Sequence, residues 1–170
     1  TPDVETLLEA LHEVLARRPE ARRRIRARLA GAYEADYEDR ATALGLKGIV
    51  EFTGPLAHAR ARELQRAADA LVLWKPVGCD AAIPAKVYEY LDSGRPLLAL
   101  LEPGDELAEL VSRGGGDRLA PGDREGLSAE LERRYLAWKE GGGAPAPAHR
   151  PGWLEEHTRS RLSARLAVLL

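Results

Sequence analysis

The chain has 170 residues, 45% of them hydrophobic and 31% charged, which is typical of a soluble globular protein and excludes a disordered or fibrous one. Its 25 basic and 27 acidic residues leave a net charge of -2, so there is no overall attraction to nucleic acid or anionic lipid. The single cysteine, Cys79, excludes an internal disulfide framework and a cysteine-rich zinc site, and no apolar run reaches the roughly 18 residues of a membrane span.

Two features of the composition concern the origin of the chain. Among the basic residues, 21 are arginine and 4 are lysine, which we attribute to the coding bias of a GC-rich bacterial genome. Methionine is absent, even at position 1, which predicts a chain processed or excised from a longer one. The first residues also lack the hydrophobic stretch of a signal peptide, so we expect a cytoplasmic protein.

The residues before Pro19 predict an amphipathic helix. Thr1, Pro2 and Asp3 supply a capping hydroxyl, a proline at the first helical position and an acid near the positive helix end. An apolar stripe at helical spacing follows, formed by Val4, Leu7, Leu8, Leu11 and Leu15. Pro19 then ends the helix, because proline cannot continue it.

Strands and helices alternate through the rest of the chain. The predicted strands are residues 24–30, 48–53, 70–74, 97–101 and 117–120, and the predicted helices are residues 34–44, 57–68, 83–93, 105–112 and 123–140. This order predicts an α/β domain with a Rossmann-like parallel sheet flanked by helices on both faces. Ligands bind at the carboxyl ends of such strands, which favours the loops after Thr53, Trp74 and Leu101.

The predicted domain spans residues 1–140. After it, residues 141–152 (GGGAPAPAHRPG) have the composition of a flexible linker. Residues 153–170 resume helical spacing, and we expect this C-terminal helix to pack back on the domain.

The helix predicted at residues 83–93 carries the strongest candidates for ligand binding. Its apolar positions, four residues apart, face the sheet, whereas Lys86, Glu89 and Tyr90 lie on a different face. Pro84 suits the first turn, and the free N–H groups after it, together with the helix dipole, favour a phosphate. Glu89 could accept two hydrogen bonds from a ribose diol, and Lys86 could offset diphosphate charge. The alternative interpretation is an ordinary exposed Lys86–Glu89 pair, worth roughly a few tenths of a kcal/mol.

Several segments resemble one enzyme family. Ile83–Leu91 (IPAKVYEYL) and Ser93–Leu100 (SGRPLLAL) resemble the donor-binding segment of the retaining glycosyltransferases of group 1, family four, which have the GT-B fold. Three further segments follow in the family's order. Gly48–Gly54 resembles the strand and turn before the nucleobase site, and Ala68–Leu73 resembles the next strand. Glu109–Asp123 resembles the closing strand and loop. The resemblance extends from Val4 to Ala137.

This resemblance implies the C-terminal, nucleotide-sugar-binding half of a GT-B enzyme, without a required metal or other cofactor. Glu89 is implied as the ribose-binding glutamate that ends the family's E-x7-E pattern. The backbone of one segment is implied to hold the diphosphate: Ala82, Ile83, Pro84, Ala85 and Lys86. The residues implied to line the base pocket are Gly54, Pro55 and Leu56.

The chain departs from the family pattern in two places. The first glutamate of E-x7-E falls at Ala81, which has no carboxylate, and the adjacent Asp80 is shorter and one residue out of register. Asp80 and Ala81 are the candidates for the contact to the donor sugar, and whether Asp80 replaces the glutamate stays open. The family also places a phosphate-facing arginine and lysine in a strand and loop before the helix that begins here at Thr1. We therefore expect the first strand and the N-terminal acceptor domain to be missing.

The resemblance implies a parent enzyme of hexosyltransferase type that transfers a sugar from a nucleotide-diphosphate sugar with retention. We expect this chain alone to be inactive, because it has no acceptor site. The expected partners are the sugar-nucleotide donor and the missing domain, without nucleic acid. Membrane association is expected only through the parent, and dimerisation through an uncovered edge or face of the sheet. The alternatives are a nucleotide-sugar epimerase on the same fold and a non-catalytic module that binds a nucleotide or a protein. No catalytic residue is predicted.

For other prominent residues we favour structural interpretations. The arginine run from Arg17 to Arg28 is interpreted as solvated helix ends and strand edges rather than a site for a polyanion. The acidic residues from Glu34 to Asp39 are interpreted as a helix start rather than a metal site. We interpret His58 as a surface residue, Trp74 as a core residue and Cys79 as a loop cysteine.

Overall fold

Helices and strands alternate in the computed structural model, which describes residues 2–33, 36–75, 85–143 and 149–157. The helices are α1 (Pro2–Arg17), α2 (Asp36–Ala43), α3 (His58–Ala67), α4 (Ala85–Ser93), α5 (Glu106–Arg113) and α6 (Arg124–Glu140). The strands are β1 (Ala27–Ala30), β2 (Val50–Gly54), β3 (Leu71–Trp74), β4 (Leu97–Leu100) and β5 (Asp117–Leu119), and short 3-10 helices cover Pro19–Arg23 and Gly152–His157. No helix in the described ranges has both the length and the hydropathy of a membrane span.

Local hydrogen bonds set the ends of several elements at positions other than those predicted. The strand predicted from Arg24 begins only at Ala27, because the N–H groups of Arg24 and Ile25 both donate to the Ala21 carbonyl, at 2.8 Å each. Asp105 and Asp123, predicted as the first residues of helices, are N-caps instead. Their side chains accept hydrogen bonds of 2.8 Å from backbone N–H groups in the first helical turn.

The described strands pair in parallel. β1 pairs with β2, and β4 lies between β3 and β5. The described strands therefore form two small parallel sheets, one of two strands and one of three.

Strand β4 is buried on both faces. Leu98 and Leu100 belong to a first core, which contains residues of α1 and α6. Leu97 and Ala99 belong to a second core, which contains residues of α4 and α5. Because a strand covered on both sides has no polar face, its sequence is an uninterrupted apolar run. The predicted α/β class is confirmed, as parallel strands in two small sheets flanked by helices on both faces.

Helices α1 and α6 are joined by apolar packing and by ion pairs. Leu8 of α1 and Leu127 of α6 are fully buried in the first core. Near the end of α1, Arg17 and Arg18 donate to the carboxylate of Glu132 at 2.7 and 2.6 Å. These hydrogen bonds hold the pKa of Glu132 below its ordinary value. Two members of the arginine run therefore have partners inside the fold, which agrees with its structural interpretation.

The described residues after α6 return to the domain. Leu154 is buried in the second core. Asp92 of α4 accepts hydrogen bonds from Arg62 of α3 at 2.5 Å and from Arg150 at 2.7 Å. Burial alone would raise the pKa of Asp92, but the hydrogen bonds from the two arginines outweigh burial and lower it. The rest of the predicted linker and C-terminal helix lies outside the described residues.

Truncation of Leu8 tests the packing of the first core. Leu8→Ala removes a fully buried side chain, and we expect the free energy of unfolding to fall by about 2–5 kcal/mol. Leu8→Met conserves most of the volume and is expected to cost less than about 1.5 kcal/mol. Urea unfolding followed by circular dichroism measures both values, and equal stability of the two variants would contradict this packing.

Candidate functional site

The carboxyl end of β2 and helix α4 meet at one edge of the domain. β2 ends at Gly54, and α3 begins shortly afterwards at His58. The Nδ1 atom of His58 lies 3.7 Å from Oε1 of Glu89 in α4. Helix α4 itself follows β3 in the chain. The first residue of α3, which follows β2, therefore lies close to α4, which follows β3.

Helix α4 has two distinct faces. Val87 and Leu91 are buried in the second core, with 0% and 3% of their surface exposed. Lys86 is exposed, and the side chain of Glu89 keeps 28% of its surface exposed. Val87 and Leu91 thus lie on the core side as predicted, whereas Tyr90, predicted on the polar face, packs against the second core. The polar face carries Glu89 toward α3.

Both carboxylate oxygens of Glu89 face side chains of α3. The Nε2 of Gln65 donates to Oε2 at 3.4 Å, and Nδ1 of His58 approaches Oε1 at 3.7 Å. Lys86 lies instead over the ring of Tyr90, with Nζ 5.8 Å from the ring centroid. The described contacts of Glu89 are therefore with α3. The alternative interpretation, in which Glu89 forms an exposed ion pair with Lys86, does not describe these contacts.

Tyr90 lies close to both Glu89 and Tyr33. Tyr33, which follows β1, packs edge-on against Phe52 of β2, with the ring centroids 5.6 Å apart. Burial raises the pKa of Tyr90 to about 12, and the neighbouring Tyr33 and Glu89 contribute to the increase. Burial also raises the pKa of Tyr33. Both hydroxyl groups are therefore protonated at neutral pH and able to donate hydrogen bonds.

Gly54 turns the chain from β2 toward α3. Its φ of +69° lies in the left-handed region, which residues with a side chain rarely adopt. A Cβ added there would meet no heavy atom within 4 Å outside its chain neighbours, so the space beside the turn is open. The Gly54 carbonyl accepts a hydrogen bond of 3.0 Å from the Gly31 N–H, which ties this turn to the end of β1. Pro55 is exposed and Leu56 is half-buried beside it.

An ion pair joins the loops after β3 and β4. The Nζ of Lys75 donates to Oδ2 of Asp105 at 2.8 Å, and the two side chains are 17% and 16% exposed. Asp105 also accepts a hydrogen bond from the Leu107 N–H at the start of α5. The hydrogen bonds from Lys75 and Leu107 lower the pKa of Asp105. This contact joins the residue that follows β3 to the N-cap of α5.

The predicted site is described only in part. The site residues outside the described ranges are Asp80, Ala81, Ala82, Ile83 and Pro84. Those within them are Gly54, Pro55, Leu56, Ala85, Lys86 and Glu89. Their roles in binding stay predictions. In the ranges that the structure describes, no group of three or more His, Cys, Asp or Glu side chains is arranged to hold a metal ion.

Several residues at this edge were not predicted from the sequence, namely Gln65, Tyr33 and the Lys75–Asp105 pair. A signal for Gln65 was available, because it lies seven residues after His58 and two helical turns place both on one face. No local pattern signals the other contacts, since they join residues far apart in the chain.

Comparisons with known proteins give a distant similarity. No protein-family model matches the chain, and no curated protein matches it. A solved structure that it resembles is that of AviGT4, a glycosyltransferase involved in avilamycin A biosynthesis, with 22% sequence identity and a TM-score of 0.46. The match covers 99% of this chain and 49% of that one, so the chain spans about half the length of AviGT4.

Removal of the Asp105 carboxylate tests the contact between the two loops. Asp105→Ala deletes a helix cap and the partner of Lys75, and we expect the free energy of unfolding at pH 7 to fall by about 1–2 kcal/mol. Since the folded-state pKa of Asp105 is lowered, its contribution is present above its unfolded pKa of about 3.9 and is lost as the pH falls through the folded value.

Urea unfolding of both proteins between pH 7 and pH 3 measures this difference. The matched control is Asp123→Ala, which removes the equivalent cap of α6. We expect Asp105→Ala to be the more destabilising of the two at pH 7. Wild-type stability of Asp105→Ala at that pH would contradict the contact.

Proposed function

We propose that this chain binds the nucleotide-diphosphate part of a sugar nucleotide at the edge formed by the Gly54 turn and helix α4. In this proposal it is the donor half of a GT-B glycosyltransferase of the group 1 type. The observation that carries the proposal is the position of the Glu89 carboxylate. It lies on the polar face of α4, is contacted by α3, and keeps part of its surface open to solvent.

The ribose is the moiety assigned to Glu89. A carboxylate has about four lone-pair positions, so it can accept from both hydroxyls of a vicinal diol while keeping a hydrogen bond to the protein. Such hydrogen bonds are stronger than neutral ones because the acceptor is charged. The neighbouring turn at Gly54 has open space beside it, which suits a flat base placed next to the ribose.

The diphosphate is assigned to the start of α4. The first N–H groups of a helix have no acceptor within the helix, and its dipole places partial positive charge there. Ala85 and Lys86 are the first described residues of α4, and both are exposed. The ammonium group of Lys86 adds a full positive charge on the same turn. Negative charge on a departing nucleoside diphosphate would be stabilised at this position.

Transfer of a sugar with retention to an acceptor belongs to the same proposal and is supported by the resemblance of the Ile83–Leu91 segment. The family pattern, rather than a contact of this chain, suggests a hexosyl donor and a parent enzyme with an acceptor domain. The role assigned to the described residues is to bind and orient the donor.

Substitution of Glu89 tests donor binding. Glu89→Gln keeps the size of the side chain and removes its charge, so the hydrogen bonds to a ribose diol weaken by about 1.5–3 kcal/mol. We therefore expect the Kd for the preferred nucleotide among UDP, GDP and ADP to rise by about 10- to 100-fold in isothermal titration calorimetry.

The matched control is Glu63→Gln on α3, whose carboxylate pairs with Arg60 on an exposed surface. It is expected to leave nucleotide affinity within about twofold, since an exposed ion pair contributes little. Equal affinity of Glu89→Gln and wild type for all three nucleotides would contradict the proposal, as would the failure of all three to bind wild type.

A further inference from the structure

Gln65 is the described side chain that donates a hydrogen bond to Glu89. It lies near the end of α3 and is half-buried, and its Nε2 is 3.4 Å from Oε2 of the carboxylate. Helices α3 and α4 are also joined by the Arg62–Asp92 ion pair of 2.5 Å, one turn away from Gln65 and Glu89 on their respective helices. The spacing between Gln65 and Glu89 is therefore set by contacts on both helices.

An amide is chemically suited to hold this carboxylate without neutralising it. The terminal torsion of a glutamate side chain is broad, so an isolated carboxylate rotates freely. A donor on Oε2 restricts the plane of the group and leaves lone pairs on both oxygens. Lysine or arginine at position 65 would form an ion pair, which a neutral diol would then have to displace. Glutamine fixes the orientation and leaves the negative charge in place.

The two carboxylate oxygens of Glu89 are in different surroundings. Oε2 faces the half-buried amide of Gln65, whereas Oε1 faces His58, whose side chain is 69% exposed. The Oε1 side is thus the side from which a ligand can approach. A ribose diol that donates to both oxygens needs the carboxylate plane turned toward it, and the amide on Oε2 sets that plane.

We propose that Gln65 is a positioning residue that orients the Glu89 carboxylate toward a vicinal diol and thereby makes the site selective for ribonucleotides over 2′-deoxyribonucleotides. This inference rests on the proposed function, because it takes Glu89 as the ribose acceptor. Gln65 itself contacts Glu89 and is not assigned a contact to the ligand.

The test is a selectivity ratio measured on the 170-residue chain. Isothermal titration calorimetry gives Kd for UDP, GDP and ADP and for their 2′-deoxy counterparts, on wild type and on Gln65→Met. Methionine keeps the length of the side chain and removes the donor. We expect wild type to favour the ribonucleotide of the preferred base by about tenfold or more, and Gln65→Met to lower this ratio by about 3- to 10-fold, mainly by weaker ribonucleotide binding.

A second variant of Gln65 distinguishes the loss of the hydrogen bond to Glu89 from a packing defect. Gln65→Glu is isosteric with the wild type but places a second carboxylate beside Glu89, and we expect it to lower the ratio at least as far as Gln65→Met does. The matched control is Glu63→Met on the same helix, which is expected to keep the wild-type ratio. Circular dichroism melting of each variant confirms that the helices are formed.

The outcomes separate the two proposals. In one outcome, Glu89→Gln abolishes the selectivity for the ribonucleotide, but both Gln65 variants keep it. This result would overturn the role of Gln65 and leave donor binding by Glu89 intact. A ratio near one in wild type, or no binding of any of the six nucleotides, would overturn the assignment of Glu89 to the ribose and the role of Gln65 with it. A lowered ratio in both Gln65 variants, with the control unchanged, supports the inference.

Discussion

Strand β4 is buried on both faces, and this burial determines where the helices and the polar groups of the domain lie. Its side chains alternate between two cores, so the helices of each side must cover an apolar surface. Neither face of β4 is available for a polar ligand. Polar groups therefore collect at the ends of the strands, where the loops after β3 and β4 are joined by Lys75 and Asp105. The location of the candidate site follows from the packing of the sheet.

The orientation of α4 is a consequence of the same packing. Val87 and Leu91 are held in the second core, which fixes the rotation of the helix about its axis. Glu89 lies two residues after Val87 and is thus carried to a different face, where Gln65 of α3 lies. The apolar residues that stabilise the domain also determine where its candidate ligand-binding carboxylate lies.

The sequence predicts those features that depend on neighbours along the chain. The alternation of elements, the apolar run of β4 and the two faces of α4 are of this kind, because each arises from local periodicity. The sequence places the start of β1 too early, since the apolar alternation before Ala27 does not reveal the helical turn that uses the N–H groups of Arg24 and Ile25. The partner of Glu89 was missed because Gln65 lies 24 residues away and only the packing of two helices brings them together.

We propose that a nucleotide binds at the edge where β2 ends and α4 begins. Backbone amide shifts of the isotope-labelled chain, followed by NMR during titration with UDP, GDP and ADP, test this location most directly. We expect saturable shifts for one preferred base that cluster at Gly54–His58 and Ala85–Tyr90. Shifts confined to α1 and α6, or the absence of saturable shifts with all three nucleotides, would contradict it.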